Sequence, residues 1–233
     1  ALAAAKAAGV TVCNVRNYSS ESVAQHAFMM LLALIRRLPD SMRDIAAGAW
    51  QQSPQFVYFN APMHDLGGKT LAIFGRGNIG RTLAGYAQAF GMKVIWGEHK
   101  HAAAVREGYT PFQVALQQAD AVSLHCPLND ASFHLLNADT LALCQRQPLI
   151  LNMARGPVAD SAAVVSALNA GKLLGYVSDV FPDEPPPADE PLLTLRDHPR
   201  VLYTPHNAWA SIGAQQELWR ILSAQMSAWI AAA

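Results

Sequence analysis

Four short stretches hold the residues whose types and spacing suit chemistry. "LAIFGRGNIGRTLAGYAQAF" (71–90) passes from a strand pattern to a helix pattern across Gly75, Gly77 and Gly80, a GxGxxG spacing. Glycines there let the backbone approach a ligand closely, and the amides at the helix start favour an anion such as a pyrophosphate. The next strand pattern, KVIW, ends at Gly97 and Glu98, twenty-three residues after Gly75. An acid at that place accepts hydrogen bonds from an adenosine ribose, so the pair points to NAD. A 2′-phosphate would meet the charge of Glu98, softened by Arg76, His99 and Lys100, which makes NADP the less favoured cofactor.

The other three clusters, NMARG (152–156), DVFPDEP (179–185) and TPHNAWAS (204–211), each follow a strand pattern. Arg155 offers a planar fork that matches a carboxylate, Glu184 a carboxylate able to orient an imidazole, and His206 an acid or base near neutral pH. Each has an ordinary reading by itself: a salt-bridged surface arginine, an acid solvating a proline-rich loop, a histidine closing a strand.

The elements that must position these groups alternate. Strand patterns lie at 70–74, 93–96, 121–125, 148–152, 175–179 and 200–203, and helical ones at 79–90, 101–107, 111–118, 138–144 and 160–170. That alternation predicts a Rossmann-type α/β fold, a doubly wound parallel sheet with helices on both faces. Such a sheet takes ligands outside the carboxyl ends of its strands, where all four clusters fall. Residues 21–38 read as one amphipathic helix, with Ser19, Ser20 and Ser22 as candidate caps and Pro39 just beyond its end. "PDEPPPADEP" (182–191), with five prolines in ten residues, reads as a surface loop. His99 and His101 lack a third ligand at useful spacing, so no metal site is expected. His125 reads as a cofactor-side or packing residue and His26 as an interface histidine.

Composition narrows the partners. The 233 residues are 52% hydrophobic and 15% charged, enough apolar content for a real core. Seventeen basic and seventeen acidic residues balance, leaving no electrostatic footprint for nucleic acid or a membrane surface. Cys13, Cys126 and Cys144 are widely spaced and unpaired in pattern, which suits a reducing cytoplasm. The most apolar run, FMMLLALI at 28–35, is too short to cross a bilayer, and no signal peptide precedes it. The expected partner is a small molecule.

GxGxxG, an acid closing the second strand, NxxRG, DVxxxEP and TPHxA, in this order, resemble the D-isomer-specific 2-hydroxyacid dehydrogenases from about residue 9 to about residue 230. "VCNVRNYSSESVAQHAF", "WQQSPQF", "GEHK" and "HNAWAS" look most like that family's glycerate dehydrogenase, or hydroxypyruvate reductase, branch. The resemblance implies that Arg155 holds the substrate carboxylate, that His206 moves the hydroxyl proton and that Glu184 supports His206. It implies that Asn78 and Ile79 lie under the pyrophosphate and Glu98 on the ribose. His125, Cys126 and Pro127 would run along the cofactor, Met153 and Ala154 would present backbone near the nicotinamide, and Asp179 would contact its amide, with His206 and Ala208 beside it. No metal is needed.

The same resemblance divides the chain into 1–20, a remnant of a substrate domain and the entry segment; 21–59, a linker helix and homodimer arm; 60–207, the NAD-binding Rossmann domain; and 208–233, a helix returning toward the substrate domain. Trp50, Phe56, Tyr58 and Phe59 suit the dimer interface. Family members carry a fuller substrate domain whose loops close the cleft, so this chain alone is expected to bind NADH yet reduce hydroxypyruvate slowly. Three other readings compete. One is a family dehydrogenase acting on phosphoglycerate, lactate or glyoxylate. Another is an NAD-sensing, corepressor-like binding protein, against which the full Arg155, Glu184 and His206 set speaks. The third is an S-adenosylmethionine methyltransferase, for which NxxRG and TPHxA have no use.

Overall fold

Runs such as TLAIF and LILN have no polar face to offer water and need cover on both sides. In the structure, a computed structural model that describes residues 2–232, six such runs form one parallel sheet. Helices α1 (Leu2–Ala7), α2 (Ser20–Ile35) and α3 (Leu38–Ala46) precede β1 (Thr70–Phe74), α4 (Asn78–Ala89), β2 (Lys93–Trp96), α5 (Phe112–Gln118) and β3 (Ala121–Leu124). Then come α6 (Ala138–Leu141), β4 (Leu149–Asn152), α7 (Ser161–Asn169), β5 (Gly175–Ser178), β6 (Val201–Tyr203) and α8 (Ile212–Ala232). The strand order is β2-β1-β3-β4-β5-β6. The chain leaves β1 in one direction and returns on its other side, so a crevice opens between the ends of β1 and β3.

Register carries the functional clusters to one edge. Phe74 lies beside Leu124, Leu124 beside Asn152, Asn152 beside Ser178 and Ser178 beside Tyr203. The residues that follow these positions therefore emerge together at the carboxyl edge of the sheet. Alternate strand residues feed two cores. Leu71, Ile73, Leu151 and Val177 pack with α2 and α4 on one face, while Ala72, Phe74, Ile150 and Tyr176 pack with α5 and α7 on the other. Helix α2 buries Ala24, Ala27, Leu31 and Leu34, the three- and four-residue spacing of one helical face.

Four expected elements differ. Residues 101–107 are not helical: the carboxylate of Glu98 binds the backbone amides of His99 and Arg106 and draws that segment into a loop. The helix expected over 21–38 ends at Ile35, Arg37 takes a left-handed φ of 57°, and a new helix starts at Leu38. Pro39 is thus inside α3, in the first turn, where its missing N–H leaves no bond unmade. Buried Asp40 locks this corner, 2.6 Å from both Arg37 and Arg43. The serines do not cap: Ser19 makes no side-chain cap bond, and Ser22 Oγ donates to the Ala208 carbonyl at 2.6 Å. Finally, α6 stops at Leu141 rather than 144, and Pro191–Leu195 winds into a 3₁₀ turn at the end of the proline-rich loop. Among the described residues no helix is long and apolar enough to cross a membrane.

Candidate active site

Gly75, directly after β1, has φ +115°, a conformation that side chains avoid. A Cβ there would lie 2.5 Å from the carbonyl carbon of His125, so only glycine lets the β1 turn meet the β3 turn at the crevice. Gly80, one turn into α4, has no room for a Cβ against the Gly75 carbonyl, which seats the helix on the turn. Gly77 is different: a Cβ there meets nothing within 4 Å, and as N-cap of α4 it supplies no side-chain bond. The amides of Asn78 and Ile79 therefore begin a helix whose positive end is left open, which fits a pyrophosphate. Beside it a cleft of about 280 Å³ brings together Gly75, Arg76, Gly77 and Glu98, with His125, Cys126 and Pro127 on its other wall.

Glu98 is 2% exposed and is no solvated loop charge. Nor does it offer free oxygens to a ribose, as its position after β2 suggests. Its carboxylate accepts the His99 amide at 2.8 Å, the Arg106 amide at 3.0 Å, and Arg106 Nε and Nη2 at 2.8 and 2.5 Å. The Arg106 fork, against the pull of burial and with help from the two amides, holds this carboxyl at about 2. Arg106 also stacks on Tyr109 at 4.0 Å, and Arg76 lies 5.2 Å from the Trp96 ring and 5.6 Å from Tyr109. On the facing wall, burial drives His125 down to about 4 and keeps it neutral. Its Nε2 lies 2.8 Å from Ser123 Oγ. Cys126 is half-buried, and burial raises its thiol. The Pro127 carbonyl accepts Ser132 Oγ at 2.6 Å.

The remaining clusters meet farther along the same edge. Asn152, wholly buried, donates from Nδ2 to the Arg155 carbonyl at 3.1 Å and accepts the Ala154 amide at 3.2 Å. This tight turn buries Met153 and Ala154 and turns Arg155 outward. Gly156 then packs so closely on Phe181 and Pro182 that a Cβ would overlap their backbone. Across that contact, Glu184 Oε1 accepts the Phe181 amide at 3.0 Å and Oε2 lies 2.6 Å from His206 Nδ1. Burial pulls the Glu184 carboxyl upward, but the Phe181 amide, His206 and the charge of Arg155 together hold it below the usual carboxylate range. With Nδ1 donating to Glu184, Nε2 of His206 is left for a ligand. Glu184 and His206 line a second cleft of about 720 Å³, separate from the one at Glu98.

His206 itself has a left-handed φ of 51°, and Asp179 holds it there. This carboxylate, 3% exposed, accepts Thr204 Oγ1 at 2.5 Å, the Asn207 amide at 3.0 Å and the Ala208 amide at 3.0 Å. His26 reaches the same group through Thr204 Oγ1 at 3.0 Å, so it is part of the network behind His206. Met153, Ala154, Arg155, Asp179 and Ala208 line neither cleft. Three contributors were missed in the sequence. Asn152 and Thr204 sat inside recognised motifs, whereas Arg106 stood in the supposed helix with nothing to mark it.

Comparison with known proteins gives the family and agrees with the fold. The family described as D-isomer specific 2-hydroxyacid dehydrogenase, NAD binding domain, matches residues 28–208. A relative from Haemophilus influenzae, named only to the level of 2-hydroxyacid dehydrogenase, is 44% identical over 214 residues, 91% of this chain and 68% of its own length. Glycerate dehydrogenase of Methylorubrum extorquens is 37% identical over 229 residues, 98% of this chain and 71% of the relative. The crystal structure of D-lactate dehydrogenase from Aquifex aeolicus, complexed with NAD and lactic acid, superposes with a TM-score of 0.86 at 28% identity, covering 99% of this chain and 72% of that one.

Proposed function

This chain belongs to the D-isomer-specific 2-hydroxyacid dehydrogenase family, and from that premise we propose that it moves a hydride between NAD(H) and C2 of a small D-2-hydroxy or 2-keto acid, hydroxypyruvate and D-glycerate foremost. The observation that carries the reading is the 2.6 Å bond between His206 Nδ1 and Glu184, at the same sheet edge as Arg155. The dinucleotide, when bound, supplies or accepts the hydride. Gly75, Gly77 and Gly80 with the amides of Asn78 and Ile79 hold its pyrophosphate, and Arg76 and Glu98 border its adenosine end. His125, Cys126 and Pro127 flank it, and Met153, Ala154, Asp179 and Ala208 lie toward the nicotinamide.

For reduction, His206 Nε2 delivers its proton to the substrate oxygen while Glu184 fixes the ring and offsets its charge. Arg155 binds the substrate carboxylate through its fork and places C2. The glycerate dehydrogenase relative supports hydroxypyruvate as substrate. Residues 21–59 serve as a homodimer arm in this reading, supported by Phe56 and Phe59, which are 90% and 73% exposed. The test is NADH oxidation with hydroxypyruvate, glyoxylate and pyruvate, using the wild type, His206→Asn and Arg155→Met. Hydroxypyruvate should give the highest kcat/KM, and His206→Asn should lower kcat by about 10²-fold or more with NADH binding retained. Equal turnover by His206→Asn and the wild type refutes the assignment.

A further inference from the structure

The adenosine end of the cleft does not carry the charge that Glu98 alone suggests. A carboxylate has about four lone-pair positions. Those of Glu98 are taken by the amides of His99 and Arg106 and by Nε and Nη2 of Arg106. No acceptor remains for a ribose hydroxyl, and a guanidinium sits directly on the negative charge. The other charged groups lining the cleft are Arg76 and Lys100, so three cations face one carboxylate. Tyr109 gathers two of these cations on its ring, Arg106 at 4.0 Å and Arg76 at 5.6 Å. Gly108, at φ +75°, lets the loop close to within 3.3 Å of Arg76 Nη1, measured from where a Cβ would stand. The Arg106 side chain is 51% exposed, and Glu98 engages only its Nε and Nη2, so an incoming anion can reach Nη1.

We propose that Arg106 determines the cofactor preference: it masks Glu98 and, together with Arg76, receives a 2′-phosphate, so that this chain binds NADPH as well as NADH. The inference rests on the dinucleotide reading given above. A phosphate monoester fits two guanidinium groups held on one aromatic ring, since arginine binds phosphate through paired, charge-assisted bonds. A ribose 2′-hydroxyl, by contrast, gains an acceptor on Glu98 only when Arg106 releases it. The two dinucleotides therefore respond to Arg106 in opposite directions, and that opposition separates a selector from a merely structural arginine.

The test is direct titration of NADH and NADPH, by calorimetry or quenching of tryptophan fluorescence, on the wild type, Arg106→Met, Arg106→Lys and Arg76→Leu. The wild type should bind the two with dissociation constants within about tenfold of each other. Arg106→Met should weaken NADPH by about tenfold or more while NADH holds or tightens. Arg106→Lys, which keeps the charge without the fork, should fall between the two, and Arg76→Leu should weaken NADPH more than NADH. NADH binding with NADPH weaker by more than about a hundredfold in the wild type overturns the inference and leaves the proposed function standing. Equal weakening of both dinucleotides in Arg106→Met also overturns it. Binding of neither by the wild type overturns the reading beneath it and the inference together.

Discussion

Asp179→Asn separates a residue that builds the His206 turn from one that only touches cofactor. The carboxylate is buried and takes three donors: the Thr204 hydroxyl and the Asn207 amide on one oxygen, the Ala208 amide on the other. A hydrogen bond to a charged group contributes about 1.5–3 kcal/mol and a neutral one about 1 kcal/mol. The asparagine keeps one oxygen, so two bonds survive in weaker, neutral form. Its amino group then faces the Ala208 N–H, donor against donor, and the third bond is lost. Together these changes cost about 2.5–7 kcal/mol. At about 2–4 °C per kcal/mol for a domain of this size, the melting temperature should drop by roughly 5–28 °C. Thermal unfolding followed by circular dichroism, without dinucleotide, reads the effect. A residue acting only on the nicotinamide amide leaves cofactor-free melting unchanged, so a midpoint within about 2 °C of the wild type refutes the reasoning.

Two more outcomes are expected. Glu184 is held below its ordinary range in the folded chain, so its stabilising effect is present above the unfolded value of about 4.3 and is lost as the pH falls through the lowered one. The melting advantage of the wild type over Glu184→Gln should therefore close on acidification below about pH 4.3, and an advantage that grows in acid contradicts the pairing. Gly156→Ala forces a methyl into the Phe181–Pro182 backbone, with a cost of about 1–3 kcal/mol in urea unfolding and a fall in kcat from displaced Glu184. Unchanged urea midpoint and kcat would show that the β4 and β5 turns do not depend on that contact.

The sheet was legible because its signals are local. Each strand is a short apolar run, and each functional cluster sits at a strand end, so Gly75, Arg155, Glu184 and His206 could be placed on one edge before any coordinates. The Glu98 loop was not legible. Alanines at 102–104 favour helix, yet one side chain outbids that preference by binding two backbone amides and a guanidinium eight residues away. Such a bond depends on a closed loop, which no periodicity reports. The break between α2 and α3 failed for a related reason: Pro39 marks a helix start as well as a helix stop, and buried Asp40 between two arginines selects the start.

Helix α2 touches the segment that carries His206 and, along its flank, helix α4. Its first turns grip the segment bearing His206, through Ser22 on the Ala208 carbonyl and His26 on Thr204. Its flank lies along α4, where Glu21 meets Tyr86 and Phe28 stacks edgewise on Phe90 at 4.8 Å. Since α4 starts at the glycine turn, one helix braces both the segment that carries His206 and the helix that opens at Gly77. The two turns at the sheet edge therefore share a support that lines neither cleft.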